Sequence, residues 1–217
     1  MTENQLKPKV FIVDDDSSVR RGVARLLRSA GFDVKAFSSA REFLELERFD
    51  GPACLILDVQ MPGMDGLDLQ KELNARGLAL PIIFLTGHGD IPMSVQAIKA
   101  GAADFLPKPF DDDVLLDTVR RALEKDTLKY RERAELSGIK ERITRLTPRE
   151  YEIFTYVITG LLNKQIAAEL GIAEKTVKVH RGRVTRKLGV VSVAEMVRLA
   201  QRAGITPPDL HHLRPYC

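Results

Sequence analysis

The chain has 217 residues, of which 44% are hydrophobic and 29% charged, a composition typical of a globular protein with one or two cores. It has no apolar run of about 18 residues and its first residues, MTENQLKPKV, lack an apolar signal segment, so we expect neither a membrane span nor export. Its two cysteines, Cys54 and Cys217, show no disulfide or metal-site spacing, which indicates a cytoplasmic protein.

The net charge of +3 is unevenly distributed along the chain. Residues 1–125 contain 16 Lys and Arg against 20 Asp and Glu, whereas residues 126–217 contain 17 against 10. This asymmetry predicts two modules, and the basic second module is a candidate for binding a polyanion such as nucleic acid.

Short apolar segments alternate with amphipathic helical patterns through residues 1–125, which we interpret as the first domain. Segments this apolar are usually strands buried on both faces, so the alternation favours a parallel sheet between layers of helices. Asp65 and Asp111 are candidate N-caps, and Pro92 suits the first turn of a helix. The strands are predicted at 9–13, 33–37, 53–57, 81–86 and 103–106, and helices at 19–30, 66–77, 91–100 and 112–125.

Residues 126–145 are highly charged and rich in helix-favouring residues. Ile139, Ile143 and Leu146 recur at helical spacing. We predict a helical linker that continues the preceding helix, with Ser137–Gly138 as the candidate point for a break.

From Thr147 onward the pattern is entirely helical and predicts four helices within residues 146–206, followed by a tail at 207–217. Thr147 with Glu150, and Ser192 with Glu195, have the spacing of capping boxes. Asn163 is a candidate N-cap for a short helix that ends near Gly171. A short helix, a tight glycine turn and a basic helix are together typical of a helix-turn-helix.

Polar side chains follow the strands of the first domain where each strand ends. Asp14, Asp15 and Asp16 follow the first strand, and Asp58 ends the third. Thr86 and Lys108 follow later strands. Because the carboxyl ends of parallel strands meet at one edge, we expect these groups to share a site. Clustered carboxylates require a cation, and Mg²⁺ with a nearby lysine indicates phosphoryl-transfer electrostatics.

The pattern FIVDDD, LILDVQMPGMDG, FLTGHGD, FLPKPF, between Phe11 and Phe110, resembles the receiver domain of two-component response regulators. The resemblance implies a flavodoxin-like (βα)5 α/β fold in which Asp58 accepts a phosphoryl group from a sensor histidine kinase. It also implies a cis peptide between Lys108 and Pro109. The implied Mg²⁺ ligands are Asp15, Asp14, Asp58 and the backbone carbonyl of Gln60, and the implied phosphoryl-binding and switch residues are Thr86, Lys108, Phe105 and Gly87.

Three neighbours of this set receive different interpretations. Asp16 precedes the helix pattern SSVR, so we expect it to cap that helix rather than bind metal. Gln60 and His88 each follow a site residue by two positions. We expect them to line the entrance to the phosphoryl group and to influence the lifetime of the acyl phosphate.

The second module, from Leu146 to Val190, resembles the helix-turn-helix domain of LuxR, NarL and FixJ-type regulators, most specifically over NKQIAAELGIAEKTVKVHRGRVTRKL. The resemblance implies an all-α domain of four helices whose segment Glu174–Leu188 enters the major groove of double-stranded promoter DNA. Gly182 departs from the polar residue often found there. The implied DNA-binding residues are Lys164, Lys175, Thr176, Lys178, Val179, His180, Arg181, Arg183, Arg186 and Lys187.

Together these patterns predict a transcriptional regulator that is no enzyme beyond its own phosphoryl transfer and dephosphorylation. The expected partners are a sensor histidine kinase, promoter DNA, a second copy of the chain after phosphorylation, and RNA polymerase. The spacing Asp14-x-Asp16-x-Ser18 leaves open a Mg²⁺-dependent phosphatase of the haloacid-dehalogenase type, with Asp14 as nucleophile. A DNA-binding protein that works without phosphorylation is the other alternative.

Overall fold

The computed structural model describes residues 7–46, 49–87, 95 and 97–209. The chain divides into two compact units between Arg131 and Glu132. Pro92, His88, Cys217 and half of the helix predicted at 91–100 lie outside the described residues, and residues 95 and 97–99 of that segment are helical. The first unit has an α/β fold and the second is helical, which confirms the predicted fold class.

Five strands lie among the described residues of the first unit, and all of them pair in parallel, as predicted. Their order across the sheet is β2-β1-β3-β4-β5. The chain therefore builds the sheet outward in opposite directions from the neighbouring strands β1 and β3, and a crevice for a ligand forms at such a reversal. The strands are β1 Lys9–Val13, β2 Asp33–Phe37, β3 Ala53–Asp58, β4 Ile82–Thr86 and β5 Asp104–Pro107.

The helices of this unit begin at the caps that the sequence predicted. The Asp16 carboxylate accepts from the N–H groups of Ser18 and Val19, and Asp65 accepts from that of Asp68. Asp111 likewise accepts from Asp113 and Val114. A short helix capped by Ser39 was not assigned from the sequence. The helices whose two ends lie among the described residues are α1 Ser17–Ser29, α2 Ala40–Leu44, α3 Gly66–Ala75 and α4 Asp112–Thr144.

The central strands β1, β3 and β4 are buried on both faces, which explains why they are almost wholly apolar. Val10 and Ile12 of β1 face the layer of α1 and α4, where they pack near Leu27 and Val119. Phe11, with Val13, faces the opposite layer of α2 and α3. Alternate residues of one strand thus enter two separate cores, and the sheet positions its carboxyl edge rigidly.

Helix α4 is continuous over 33 residues and passes through Ser137 and Gly138, so the break expected there is absent. A glycine in a helix costs about 1 kcal/mol. Burial of the next residue, Ile139, in the core of the second unit offsets that cost, since full burial of an isoleucine is worth about 2 kcal/mol. Nearer its start, α4 is joined to the first unit by Asp126, which accepts from the N–H of Ala53 at 2.9 Å.

The second unit contains the four predicted helices, α5 Pro148–Val157, α6 Asn163–Glu169, α7 Glu174–Leu188 and α8 Val193–Ala203. The apolar stripe of α7, namely Val177, Val184 and Leu188, is buried as predicted. The capping box of Thr147 and Glu150 is confirmed, and Ser192 caps α8.

The prediction that Asn163 caps α6 is wrong, because Leu162 occupies the cap position. The N–H of Leu162 donates to Oε1 of Gln165 at 2.8 Å. The side-chain oxygen of Asn163 instead accepts from Arg181 of α7 at 2.9 Å, a tertiary contact that competes with local capping.

Among the described residues, no helix is both long and apolar enough to cross a membrane.

Candidate functional site

The carboxyl edge of the sheet brings two aspartates from different strands together. Asp14 directly follows β1, and Asp58 ends β3. These strands are neighbours in register, with Val13 opposite Leu57. Both carboxylates are buried, with Asp14 1% and Asp58 7% exposed, so their charges require compensation within the fold.

Lys108 supplies that compensation. Its Nζ lies 2.8 Å from Oδ2 of Asp14 and 2.9 Å from Oδ1 of Asp58. The residue follows β5, two strands away from β3, and the Lys108–Pro109 peptide is cis as the resemblance implied. The extended lysine side chain therefore spans the edge and places one ammonium between two carboxylates.

Burial and charge act in opposite directions on these groups. Burial raises the pKa of Asp58, and the hydrogen bond and positive charge of Lys108 oppose that rise without cancelling it. For Lys108, burial works to lower the pKa, but the hydrogen bonds to Asp14 and Asp58 outweigh it and raise the pKa. The ammonium is therefore charged at neutral pH and forms part of the site.

A candidate cation site lies beside this ion pair. Carboxylate oxygens of Asp14, Asp15 and Asp58 lie within 4.8 Å of one another. Asp15 is exposed, so its carboxylate borders solvent while the other two are enclosed. Hard oxygen ligands that leave room for water and an incoming phosphate suit Mg²⁺. This donor set fits the metal that the sequence predicted.

Asp14 is less available for chemistry than Asp58. Its Oδ1 accepts from the N–H of Asp16 at 2.8 Å, while its Oδ2 accepts from Lys108. The phosphatase alternative requires Asp14 as its nucleophile, but both carboxylate oxygens of Asp14 already accept hydrogen bonds. Asp58 has one such bond, from Lys108 to Oδ1, among the described hydrogen bonds.

Arg20 is a member of the site that the sequence did not reveal. Its Nη1 donates to the backbone carbonyl of Asp14 at 2.6 Å and to that of Asp15 at 3.2 Å. The guanidinium therefore holds the loop that presents the carboxylates. Arg20 follows Asp14 by six residues on the first turns of α1, and no local motif marks it.

The predicted switch residues lie on β4 and β5 or directly after β4, in different environments. Thr86 is 1% exposed at the end of β4, and Gly87 beside it is exposed. Phe105 is half-buried and its ring centroid lies 6.2 Å from that of Phe84. Gln60 is exposed near Asp58, and the expectation for His88 lies outside the described residues.

Gly66, the first residue of α3, lies directly against the backbone of Asp58. A Cβ atom at Gly66 would lie 2.3 Å from the carbonyl oxygen of Asp58 and 3.1 Å from the Phe84 ring. The backbone of Asp58 can therefore take its position only when residue 66 has no side chain.

We expect Gly66→Ala to lower the free energy of unfolding of the receiver unit by about 2 kcal/mol, because overpacking against rigid backbone is costly. Calorimetry of the full-length protein measures the change. Gly22→Ala is the matched control, since a Cβ at Gly22 in α1 meets nothing within 4 Å. The control should be neutral or stabilising, and equal behaviour of the two variants would contradict the steric argument.

The second unit presents a basic surface on α7. Its apolar stripe is directed into the core, while the other faces of the helix carry cations. Val179 is 48% exposed, as a side chain that contacts bases must be. The predicted DNA-binding residues that are exposed are Lys164, Lys175, Thr176, Lys178, Val179, Arg183 and Arg186.

Three predicted DNA-binding residues have a different environment. Arg181 and Lys187 are half-buried and donate to side chains of the unit, Arg181 to Asn163 and Lys187 to Glu150. His180 is half-buried, and its Nδ1 is enclosed without a hydrogen-bond partner among the residues that the structure describes. Since Nε2 is the other donor-capable atom of the ring, it is the atom available to an external acceptor.

Comparisons with known proteins agree with the division of the chain into two units. Residues 10–120 match the family described as response regulator receiver domain, and residues 144–200 match bacterial regulatory proteins of the luxR family. Nodulation protein W of Bradyrhizobium diazoefficiens is 48% identical, with 94% of this chain and 90% of that protein aligned. Transcriptional regulatory protein FixJ of Azorhizobium caulinodans is 44% identical over 92% of this chain and 95% of its own. The solved structure of the response regulator StyR is 49% identical with a TM-score of 0.86, covering 91% of this chain and all (100%) of that one.

Proposed function

This chain belongs to the two-component response regulators that join a receiver domain to a luxR-family DNA-binding domain, and on that premise we propose that phosphorylation of Asp58 controls DNA binding by α7. The family consists of transcriptional regulators rather than classical enzymes. The observation that carries the proposal is the placement of Lys108 between the buried carboxylates of Asp14 and Asp58. That arrangement provides a nucleophilic oxygen and the charge needed beside an incoming phosphoryl group.

The proposed transfer uses Oδ2 of Asp58, the oxygen not bonded to Lys108. A bond forms between this oxygen and the phosphorus of a phosphohistidine on the sensor kinase, and the phosphorus–nitrogen bond breaks with the imidazole as leaving group. Lys108 then donates to a phosphoryl oxygen. Thr86, buried beside the site, donates its hydroxyl to another. In this proposal the protein catalyses only its own phosphorylation and dephosphorylation.

Asp14, Asp15 and Asp58, with the carbonyl of Gln60, would hold Mg²⁺ during this transfer. Bound there, the ion supplies positive charge that reduces the repulsion between carboxylate and phosphoryl oxygens. Asp16 does not join this set in the proposal, because its carboxylate is used as the N-cap of α1.

An open groove of about 910 Å³ leads from the site along α1. Val19, Leu26 and Phe110 provide apolar lining, and Lys108 lies at its end. We propose that a helix of the sensor kinase docks here, because this occupant could bring its phosphohistidine to Asp58 from the groove.

Signal output is proposed to pass through Thr86 and Phe105. When the Thr86 hydroxyl turns to the phosphoryl group, Phe105 moves inward and changes the surface near β5 and the start of α4. That change permits a second copy of the chain to bind, releases the DNA-binding unit, or does both. The regulator then acts in the cytoplasm on promoter DNA and contacts RNA polymerase.

Beryllofluoride with Mg²⁺, which mimics the phosphoryl group, tests the proposal on the full-length protein. We expect DNA affinity in a mixed-sequence duplex to rise about tenfold, within the usual range of allosteric coupling, and sedimentation to show a dimer. Lys71→Met serves as the control, since this exposed lysine on α3 lies outside the site. Unchanged affinity and unchanged mass would contradict phosphorylation control.

A further inference from the structure

The C-terminal end of α7 is held by three hydrogen bonds within the second unit. Nζ of Lys187 lies 2.6 Å from Oε2 of Glu150 and 2.9 Å from the carbonyl oxygen of Arg145. Nη1 of Arg142 donates to the carbonyl of Leu188 at 2.7 Å. The last turn of α7 is therefore attached both to the start of α5 and to the segment that precedes it.

Glu150 connects two elements with a single carboxylate. Its Oε2 accepts from Lys187 and also from the N–H of Thr147 at 2.9 Å, which closes the capping box of α5. The residue is only 3% exposed. The hydrogen bonds from Lys187 and Thr147 lower the pKa of Glu150, so the ion pair persists at neutral pH.

Arg142 acts at the carbonyl groups of the C-terminal end of α7. The last carbonyl groups of a helix have no partner within the helix, and a cation there also interacts favourably with the helix dipole. The Arg142 guanidinium supplies the hydrogen-bond donor and the positive charge. It also lies near Gly189, the cap residue, since one of its nitrogens would be 3.6 Å from a Cβ atom at that position. The last turns of α4 thus hold the end of α7.

Lys187 differs in this respect from its neighbour Arg186. Arg186 is exposed, whereas Lys187 is half-buried and uses two of its three ammonium hydrogens on Glu150 and Arg145. A phosphate contact by Lys187 would require it to abandon a nearly buried carboxylate. Removing one member of such a pair is costly, which disfavours that exchange.

We propose that Lys187, Glu150 and Arg142 are positioning residues for DNA binding, which hold α7 at its C-terminal end while other cations contact phosphates. This inference rests on the proposed binding of DNA by α7. It assigns the last turns of α4 to the DNA-binding unit. It also removes Lys187 from the residues that contact the phosphate backbone.

The test compares Lys187→Gln, Glu150→Gln and their double variant with Arg186→Gln, which removes an exposed cation at the next position. Binding of full-length protein to a fluorescein-labelled mixed-sequence duplex is measured over a series of KCl concentrations, with Mg²⁺ and beryllofluoride present. Each lost phosphate contact should reduce the slope of log affinity against log salt by about 0.9. Hydrogen exchange of peptides covering residues 182–190 reports the attachment of α7 directly.

We expect Arg186→Gln to reduce the slope by about 0.9 with unchanged hydrogen exchange. Lys187→Gln should keep the slope, bind more weakly and exchange faster. Glu150→Gln should also weaken binding, although it removes a negative charge and would strengthen binding if net charge alone mattered. The double variant should bind no more weakly than the weaker single variant.

Two outcomes would overturn the inference. A slope reduced by Lys187→Gln as much as by Arg186→Gln, with tighter binding by Glu150→Gln, would show that Lys187 contacts phosphate. Should a glutamine variant fail to fold, Lys187→Arg replaces it, since it keeps the cation and should retain slow exchange. If the wild-type protein had no affinity for the duplex, the proposed function would be contradicted, and with it the role of these residues in DNA binding. Faster exchange at 182–190 in Glu150→Gln would still show that Glu150 holds α7. That combination distinguishes failure of the proposed function from failure of the inference alone.

Discussion

Asp58→Asn is expected to reduce phosphoryl incorporation to less than about 1% of the wild-type rate, because an amide oxygen cannot replace the attacking carboxylate. The substitution preserves the shape of a side chain that is 7% exposed, so the fold should be retained. Acetyl phosphate with Mg²⁺ is the phosphodonor, and intact-protein mass spectrometry measures the incorporated group.

Asp14→Asn is the informative comparison for this result. It alters a neighbouring buried carboxylate that also bonds Lys108 but leaves Asp58 in place. We expect slower incorporation that still occurs on Asp58. Phosphorylation of the Asp58→Asn protein on Asp14 would revive the phosphatase alternative and refute the assignment of Asp58.

Lys108→Met is expected to lower the free energy of unfolding by about 3 kcal/mol in EDTA, because it leaves two adjacent carboxylates without their cation. Methionine keeps the apolar stem of the lysine, so the loss reports the charge. Urea denaturation measures it. The raised pKa of Lys108 means that its contribution is fully present below the ordinary lysine pKa and is lost only as pH rises through the folded-state value.

Mg²⁺ should restore part of the stability lost by Lys108→Met, since a divalent ion supplies the missing positive charge. In the double variant with Asp15→Asn that recovery should disappear. Lys71→Met is the matched control, because its ion pair with Asp68 is exposed and should contribute less than about 0.5 kcal/mol. Equal losses in the Lys71 and Lys108 variants would refute the proposed role of Lys108 in balancing the buried charges.

The acidic edge was predictable because its signals are local. Each acidic candidate stands where an apolar strand pattern ends, as Asp58 does at the end of β3, and parallel pairing then brings those ends together. The caps at Asp16 and Asp111 were predictable for the same reason, since capping joins a side chain to backbone two or three residues away. Asn163 shows the limit of that rule, because a tertiary contact with Arg181 uses its side chain.

The residues that sequence reasoning missed interact without a recurring pattern. Gly66 is required because the Asp58 carbonyl lies where a side chain would be. Arg20 belongs to the site because it donates a hydrogen bond to the loop of Asp14 and Asp15. A glycine at the start of a helix and an arginine on its surface have many ordinary explanations. Only the interatomic distances in the folded protein show that these two residues belong to the site.

By itself the sequence determined the parallel α/β unit, the helical basic unit and the strand-end carboxylates, because hydrophobic periodicity and capping are properties of short segments. The strand ends also predicted Lys108 beside these carboxylates, but only the tertiary structure decided which atoms pair. Lys108 meets Asp14 across 94 positions and Lys187 meets Glu150 across 37, and no local pattern specifies that these atoms lie within hydrogen-bonding distance. The same residue type is therefore part of the proposed phosphoryl site in one unit and of the proposed support for a helix in the other, since the role of a lysine depends on the partner that the fold places within reach of its ammonium group.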